Sequence, residues 1–113
     1  MTGSKRYLQP KDMLLNAVHD LAELQKGKAV MNDTLRGIVR LVVTMYGDEW
    51  KYDFTVSDIG GGRSEVRITL EDDPPDSERL VGHEFALLDY VLIDRAKADL
   101  NVIEEVDRAN REM

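Results

Sequence analysis

Residues able to carry acid–base or nucleophilic chemistry are few in this chain, and they are scattered. It has no cysteine and only two histidines. That excludes thiol nucleophiles, disulfides and thiolate metal sites. His19 and His83 form neither a His-x-x-x-His pair nor a His-Glu-x-x-His zinc motif; His19 lies among apolar helical positions and reads as a residue at the rim of a core. Asp53, Glu65 and Arg67 alternate with apolar residues and read as exposed cross-strand charges. Asp89 sits beside Tyr90 inside the most apolar stretch of the chain. A carboxylate there needs a partner, such as Arg36, Arg40 or a residue of another subunit. The acidic run Glu71-Asp72-Asp73-Pro74-Pro75-Asp76 lacks the alternation, central glycine and terminal glutamate of a calcium loop and reads as a solvated helix-capping segment. Gly60-Gly61-Gly62-Arg63 suggests a phosphate cradle. Such a cradle runs from a strand into a helix N-terminus, whereas this one runs from strand to strand and reads as a hairpin turn. No nucleophile faces a base, so the expectation is a protein that is not an enzyme and uses neither a metal nor another cofactor.

Trp50, Tyr52 and Phe54 recur at a period of two. Exposed, they would be a stacking platform for bases. Buried, they are core, or they line an apolar pocket between sheet and helix that would also involve Tyr90.

These residues are held by the stretch Leu35–Leu70, which reads as three antiparallel strands. A type II′ turn at Gly47-Asp48 pairs Met45 with Trp50, Val43 with Tyr52, Leu41 with Phe54 and Val39 with Val56. A three-residue loop, Gly60–Gly62, pairs Ile59 with Arg63, Val56 with Val66, Phe54 with Ile68 and Tyr52 with Leu70. Side chains alternate along a strand, so both turns assign the same residues to one apolar face, while Arg40, Thr44, Lys51, Asp53 and Thr55 fall on the other.

On either side the sequence reads as helical. Pro10 opens a helix over Lys11–Lys26, with Leu14, Val18, Leu21 and Ala22 in one stripe, and Gly27 ends it. Lys28–Thr34 is left open between a turn at Asn32-Asp33 and an extension of the first strand bent at Gly37. Two prolines end the third strand, and from Ser77 to Glu112 only Gly82 opposes a long helix. Its segment Phe85–Ile93 is apolar nearly all round, which asks for burial on more than one side. Beyond Arg95 the stripe narrows to Ala96, Leu100, Ile103 and Val106. The 100–113 tail is either a helix extended onto a partner or a segment folded back. The fold class is thus α+β: an N-terminal helix, a three-stranded antiparallel meander and a long C-terminal helix on one sheet face, making a single domain over 10–113 after a flexible 1–9.

At 113 residues, with 42% hydrophobic and 33% charged residues, the composition is that of a folded globular chain rather than a disordered one. A net charge of −7 disfavours nucleic acid and anionic membrane surfaces as partners. No apolar run approaches the ~20 residues of a membrane span, and no signal-peptide pattern opens the chain. The expected location is the cytoplasm.

The stretch WKYDFTVSDIGGGRSEVRITLEDDPP and the amphipathic helix after it resemble the C-terminal half of START-like (helix-grip) domains. There two late antiparallel strands lead into a helix that closes an apolar ligand cavity. The resemblance covers residues 50 to about 100. It implies small-ligand binding, although the family's sheet has more strands than the three read here and the segment before Leu35 is not read as supplying them. The order helix, three strands, helix is also similar to the small dimeric YbaB-type nucleoid proteins in topology alone. Two functions follow as expectations. The first is a non-catalytic module that self-associates, as a homodimer or larger homo-oligomer or with a protein partner, through Phe85, Leu88, Leu92, Ile103 and Val106. The alternative is a START-like binder of small apolar ligands.

Overall fold

The computed structural model describes the backbone of residues 1–111 and the side chains of residues 1–96. The order is β1 (Thr2–Tyr7), α1 (Lys11–Leu24), β2 (Lys28–Asp33), β3 (Ile38–Met45), β4 (Asp48–Gly60), β5 (Arg63–Leu70) and α2 (Ser77–Arg111). The strands form one antiparallel sheet in the order β1-β5-β4-β3-β2. The sheet therefore has five strands and not three. Thr2–Tyr7, expected to be a flexible lead, is an edge strand paired with β5. Lys28–Asp33 is a separate strand that forms the other edge. These two supply the strands that the segment before Leu35 was expected to lack, and they remove the helix–three strands–helix order on which the YbaB-type likeness rests.

The inner face of the sheet carries Val39, Leu41, Val43, Tyr52, Phe54, Val56, Val66, Ile68 and Leu70, all buried. α1 lies over the β2–β4 half and reaches β5, while α2 lies over β1 and β5 and against α1. Both helices thus cover the same face, and their buried residues (Leu14, Val18 and Leu21; Leu80, Leu88 and Leu92) complete a single core. At the β3–β4 turn the two-residue loop is Tyr46-Gly47, both with positive φ (56° and 81°), a type I′ geometry. Val43 therefore pairs with Trp50, Leu41 with Tyr52 and Val39 with Phe54, two residues from the expected register. A two-residue slip leaves every side chain on its face, which is why the inner face is nonetheless the expected one. Across β4–β5 the pairs Val56–Val66, Phe54–Ile68 and Tyr52–Leu70 stand as expected. Near the turn Gly60 pairs with Arg63, and a bulge between Asp58 and Gly60 takes up Ile59.

At the end of α1, Lys26 and not Gly27 takes the left-handed conformation, with φ 55°. Its N–H bonds to the Glu23 carbonyl at 3.0 Å and that of Gly27 to the Ala22 carbonyl at 2.8 Å, the paired bonds of a Schellman end. Gly27 is required for a different reason: a Cβ there would stand 2.8 Å from the Val42 carbonyl oxygen. Gly37 combines both demands. Its φ is +70°, and a Cβ would stand 2.3 Å from the Val56 carbonyl oxygen on β4. Gly47, at φ +81°, has nothing within 4 Å of the same point. Gly37→Ala and Gly47→Ala both incur the ~1–3 kcal/mol of a left-handed non-glycine residue, but only the first must also displace β4. The urea midpoint should fall clearly further for Gly37→Ala, and equal falls would contradict the close approach.

The polar sheet face carries a two-pronged ion pair, Arg40 Nε to Asp53 Oδ1 at 2.7 Å and Nη2 to Oδ2 at 3.0 Å. Asp89 does not reach Arg36 or Arg40. It accepts hydrogen bonds from Lys5 and, at 2.8 Å, from the Tyr7 hydroxyl, so the carboxylate of α2 is satisfied by β1. Burial and this bond push the Tyr7 phenol well above the usual tyrosine range.

Candidate functional site

Where β4 begins and α2 begins, the sheet and the helix stand apart. A cleft of about 340 Å³ opens there, lined by Tyr46 and Asp48 of the β3–β4 hairpin, Trp50 of β4, Pro74, Pro75 and Asp76 of the loop, and Arg79 and Leu80 of α2. That volume is at the lower end of small-molecule sites. β5 ends at Leu70, just before Asp72 and Asp73 take positive φ, and the two prolines that follow keep the loop out of the sheet. Trp50 is half-buried, its indole N–H donating to the Met45 carbonyl at 3.2 Å. Arg79 bridges the mouth: its Nη2 donates to the Tyr46 hydroxyl at 3.2 Å, with the guanidinium 5.7 Å from the ring centre.

One step inward on each element lies a polar layer. From Trp50 the next residue of β4 on the same face is Tyr52; from Leu80 one helical turn of α2 leads to Glu84. Both are fully buried. Gln25, the cap of α1, completes the layer, its Nε2 donating to Glu84 Oε2 at 2.7 Å. The second amide hydrogen points to the Leu21 carbonyl, 3.5 Å away. Three buried atoms of this layer have no hydrogen-bond partner: the Tyr52 hydroxyl, Glu84 Oε1 and Gln25 Oε1. Among the described residues, the one other such atom is the Ser64 hydroxyl, on β5 toward the β4–β5 turn. Burial raises the Glu84 carboxyl from the ordinary 4.5 to about 7, an effect the Gln25 hydrogen bond only partly offsets. Desolvation, followed by the nearby Glu84 charge, raises the Tyr52 phenol above its usual range.

Of the four residues expected to line a pocket, Trp50 lines the cleft and Tyr52 lies just beneath it. Phe54, a further step inward, is packed in the core. Tyr90 is 58% exposed on the opposite side of α2 and does not belong to the site. Of the residues expected to carry self-association, Leu88 and Leu92 are buried in the core and Phe85 packs against it. Ile103 and Val106 lie outside the described side chains. Among the described residues no group of histidine, aspartate or glutamate side chains is arranged to hold a metal ion, and no helix is long and apolar enough to cross a membrane.

Glu84 and Gln25 are the members of the site that sequence reasoning passed over. A signal for Glu84 exists: Leu80, Glu84 and Leu88 follow one another at four-residue spacing, so a carboxylate occupies a core position of an otherwise apolar stripe. Gln25 carries no such mark, because it lies beyond the last regular turn of α1.

A scan against protein-family models finds no match, and no curated protein matches in sequence. Solved structures do resemble this fold. CalU16 from Micromonospora echinospora matches with a TM-score of 0.57 at 15% identity, over 80% of this chain and 70% of that one. The di-domain ARO/CYC StfQ from the steffimycin biosynthetic pathway matches with a TM-score of 0.57 at 12% identity, over 89% of this chain. This chain spans about half of StfQ, 46% of its length. A START superfamily protein from Mycobacterium smegmatis gives a TM-score of 0.46 at 10% identity, over 87% of this chain and 97% of that one. At such identities the likeness is one of fold.

Proposed function

We propose that the protein is a binder of small, largely apolar molecules, with the ligand's body in the cleft between Trp50 and Leu80 and its inner end on Tyr52, Glu84 and Gln25. The observation that carries this reading is the layer of buried, unpartnered polar atoms directly beneath the cleft. A buried polar atom without a partner costs about 1–3 kcal/mol, and three gathered in one place are explained if a ligand completes them. Support also comes from the resemblance to START-like domains, in which two late strands lead into a C-terminal helix that closes an apolar ligand cavity. Binding without turnover is the simplest form of the proposal. The lining and the layer beneath it contain no serine, threonine, cysteine, histidine or lysine to serve as nucleophile or mobile base.

Trp50 is the only tryptophan, so its emission reports on the cleft alone. The protein, purified without refolding, should carry a discrete extra mass in a native mass spectrum. A panel of small aromatic and alkyl compounds should shift Trp50 emission saturably. Trp50→Ala should keep the far-ultraviolet dichroism while calorimetric affinity falls at least about tenfold. A bare mass together with a Trp50 emission that no compound moves would refute the reading.

A further inference from the structure

We infer that the inner end of the ligand is a cationic hydrogen-bond donor, a primary ammonium or amidinium carried on an apolar body. The inference rests on the cleft-binding reading and deepens it. It follows from which hydrogen-bonding capacities are already used within the protein and which are left over. Both amide hydrogens of Gln25 are directed to protein acceptors, one to Glu84 Oε2 and one to the Leu21 carbonyl. What remains is Oε1, which can only accept. Glu84 Oε1 accepts when the carboxyl is ionised, and the Tyr52 oxygen also has lone pairs to offer. The three unpartnered atoms are therefore three acceptor positions in one buried layer. An ammonium carries three donors and no acceptor and can fill all three acceptor positions, while the Tyr52 O–H keeps its own proton to give to a neighbouring acceptor. A carboxylate, phosphate or ketone would bring further acceptors against two that cannot donate. A neutral alcohol offers one donor and leaves two positions unmet.

The surroundings agree in sign. Trp50 lines the cleft with an aromatic ring, which attracts cations through its face, while the Tyr46 ring at the mouth is already taken by Arg79. Asp48 and Asp76 stand at the rim. Arg79, the basic residue of the lining, is turned onto Tyr46 and does not compete for the inner acceptors. The net charge of −7 steers cations toward the protein from a distance. The Glu84 carboxyl, with its pKa raised to about 7, is half-ionised near neutrality and is held ionised by an arriving cation.

The test uses three probes of one shape in calorimetric and Trp50-emission titrations of the intact protein at pH 8: 2-phenylethylamine, 2-phenylethanol and 3-phenylpropionate. The amine is expected to bind at least about tenfold more tightly than the alcohol, and the propionate most weakly. In Glu84→Gln, which keeps the shape of the protonated carboxyl, the preference for the amine should collapse to within about threefold. Gln25→Met, altered at a partly exposed position, should weaken the amine several-fold and the alcohol by distinctly less. Alcohol or propionate binding as tightly as the amine would overturn the cationic class and leave the cleft reading standing. An amine preference that survives in Glu84→Gln would overturn the assignment of the inner end. If none of the three binds while the native protein carries an extra mass or other compounds shift Trp50, the cationic class falls alone; if those signals are absent too, the cleft reading falls with it.

Discussion

Glu84→Gln should stabilise the protein by roughly 3 kcal/mol at pH 8 and by almost nothing near pH 4. The folded-state pKa of Glu84 is about 7 against 4.5 for the ordinary group. Between those values the folded protein holds a proton that the unfolded chain has released, so stability falls as the pH rises. The loss begins near pH 4.5, is complete above about pH 7, and amounts to roughly 3 kcal/mol at ~1.4 kcal/mol per pH unit. Glutamine cannot ionise, and it can still accept the hydrogen bond from Gln25. The quantity to measure is the difference between variant and parent in urea unfolding across this pH range, because the other carboxylates titrate alike in both. A difference that does not change with pH would mean that Glu84 is not a buried carboxyl in solution. The prediction also ties stability to binding: a ligand that satisfies the ionised carboxylate should offset part of the penalty, and thermal stabilisation by the ligand should be largest above pH 7.

Phe54→Ala should cost about 3–5 kcal/mol, the loss typical of a fully buried phenylalanine. Phe54 has no exposed surface. It lies in the central strand, opposite Val39 on one side and Ile68 on the other, with the Tyr52 ring centre 6.4 Å away. Neighbours anchored in β3 and β5 cannot collapse into the space it leaves. Domains of this size are stable by ~5–15 kcal/mol in total, so the variant should lose a large share of its stability, read as a lower urea midpoint at unchanged slope. Trp50→Ala, at the half-buried edge of the same face, should cost distinctly less while removing the binding signal. If both variants lose stability equally, Trp50 is core and not the wall of a cleft.

How much of this was legible in the sequence depended on whether an element announces itself by its side chains. β3, β4 and β5 alternate cleanly because one face meets the core and the other meets water, so their shared face was readable even with one turn misplaced by one residue and its register by two. β1 gives no such signal. Its inward positions are Gly3, Lys5 and Tyr7, paired with Ile68, Val66 and Ser64. Gly3 is small because Val81 and Phe85 of α2 press close: a Cβ there would stand 3.0 and 3.1 Å from them. The Lys5 amine pairs with Asp89. A strand whose inner face is a glycine and an ion-paired lysine carries no hydrophobic period. β2 is hidden for a different reason, because the register shift between Ala29 and Met31 breaks the alternation midway. Trp50 and Tyr52 were singled out by their spacing, whereas Glu84, marked only by its four-residue spacing with Leu80 and Leu88, was passed over.

β1 also constrains the order in which the molecule can be assembled. Its backbone partners lie in Arg63–Leu70, and the Lys5 and Tyr7 side chains are fixed by Asp89, so its partners are 57–84 residues away in sequence (64 − 7 = 57; 89 − 5 = 84). On the ribosome β1 emerges before its partners and must wait, unpaired, until β5 and the first turns of α2 have followed. Contacts of such long range slow folding. The hairpin pairs β3–β4 and β4–β5 are local and can form while synthesis continues, whereas β1 can close onto β5 only after both have emerged.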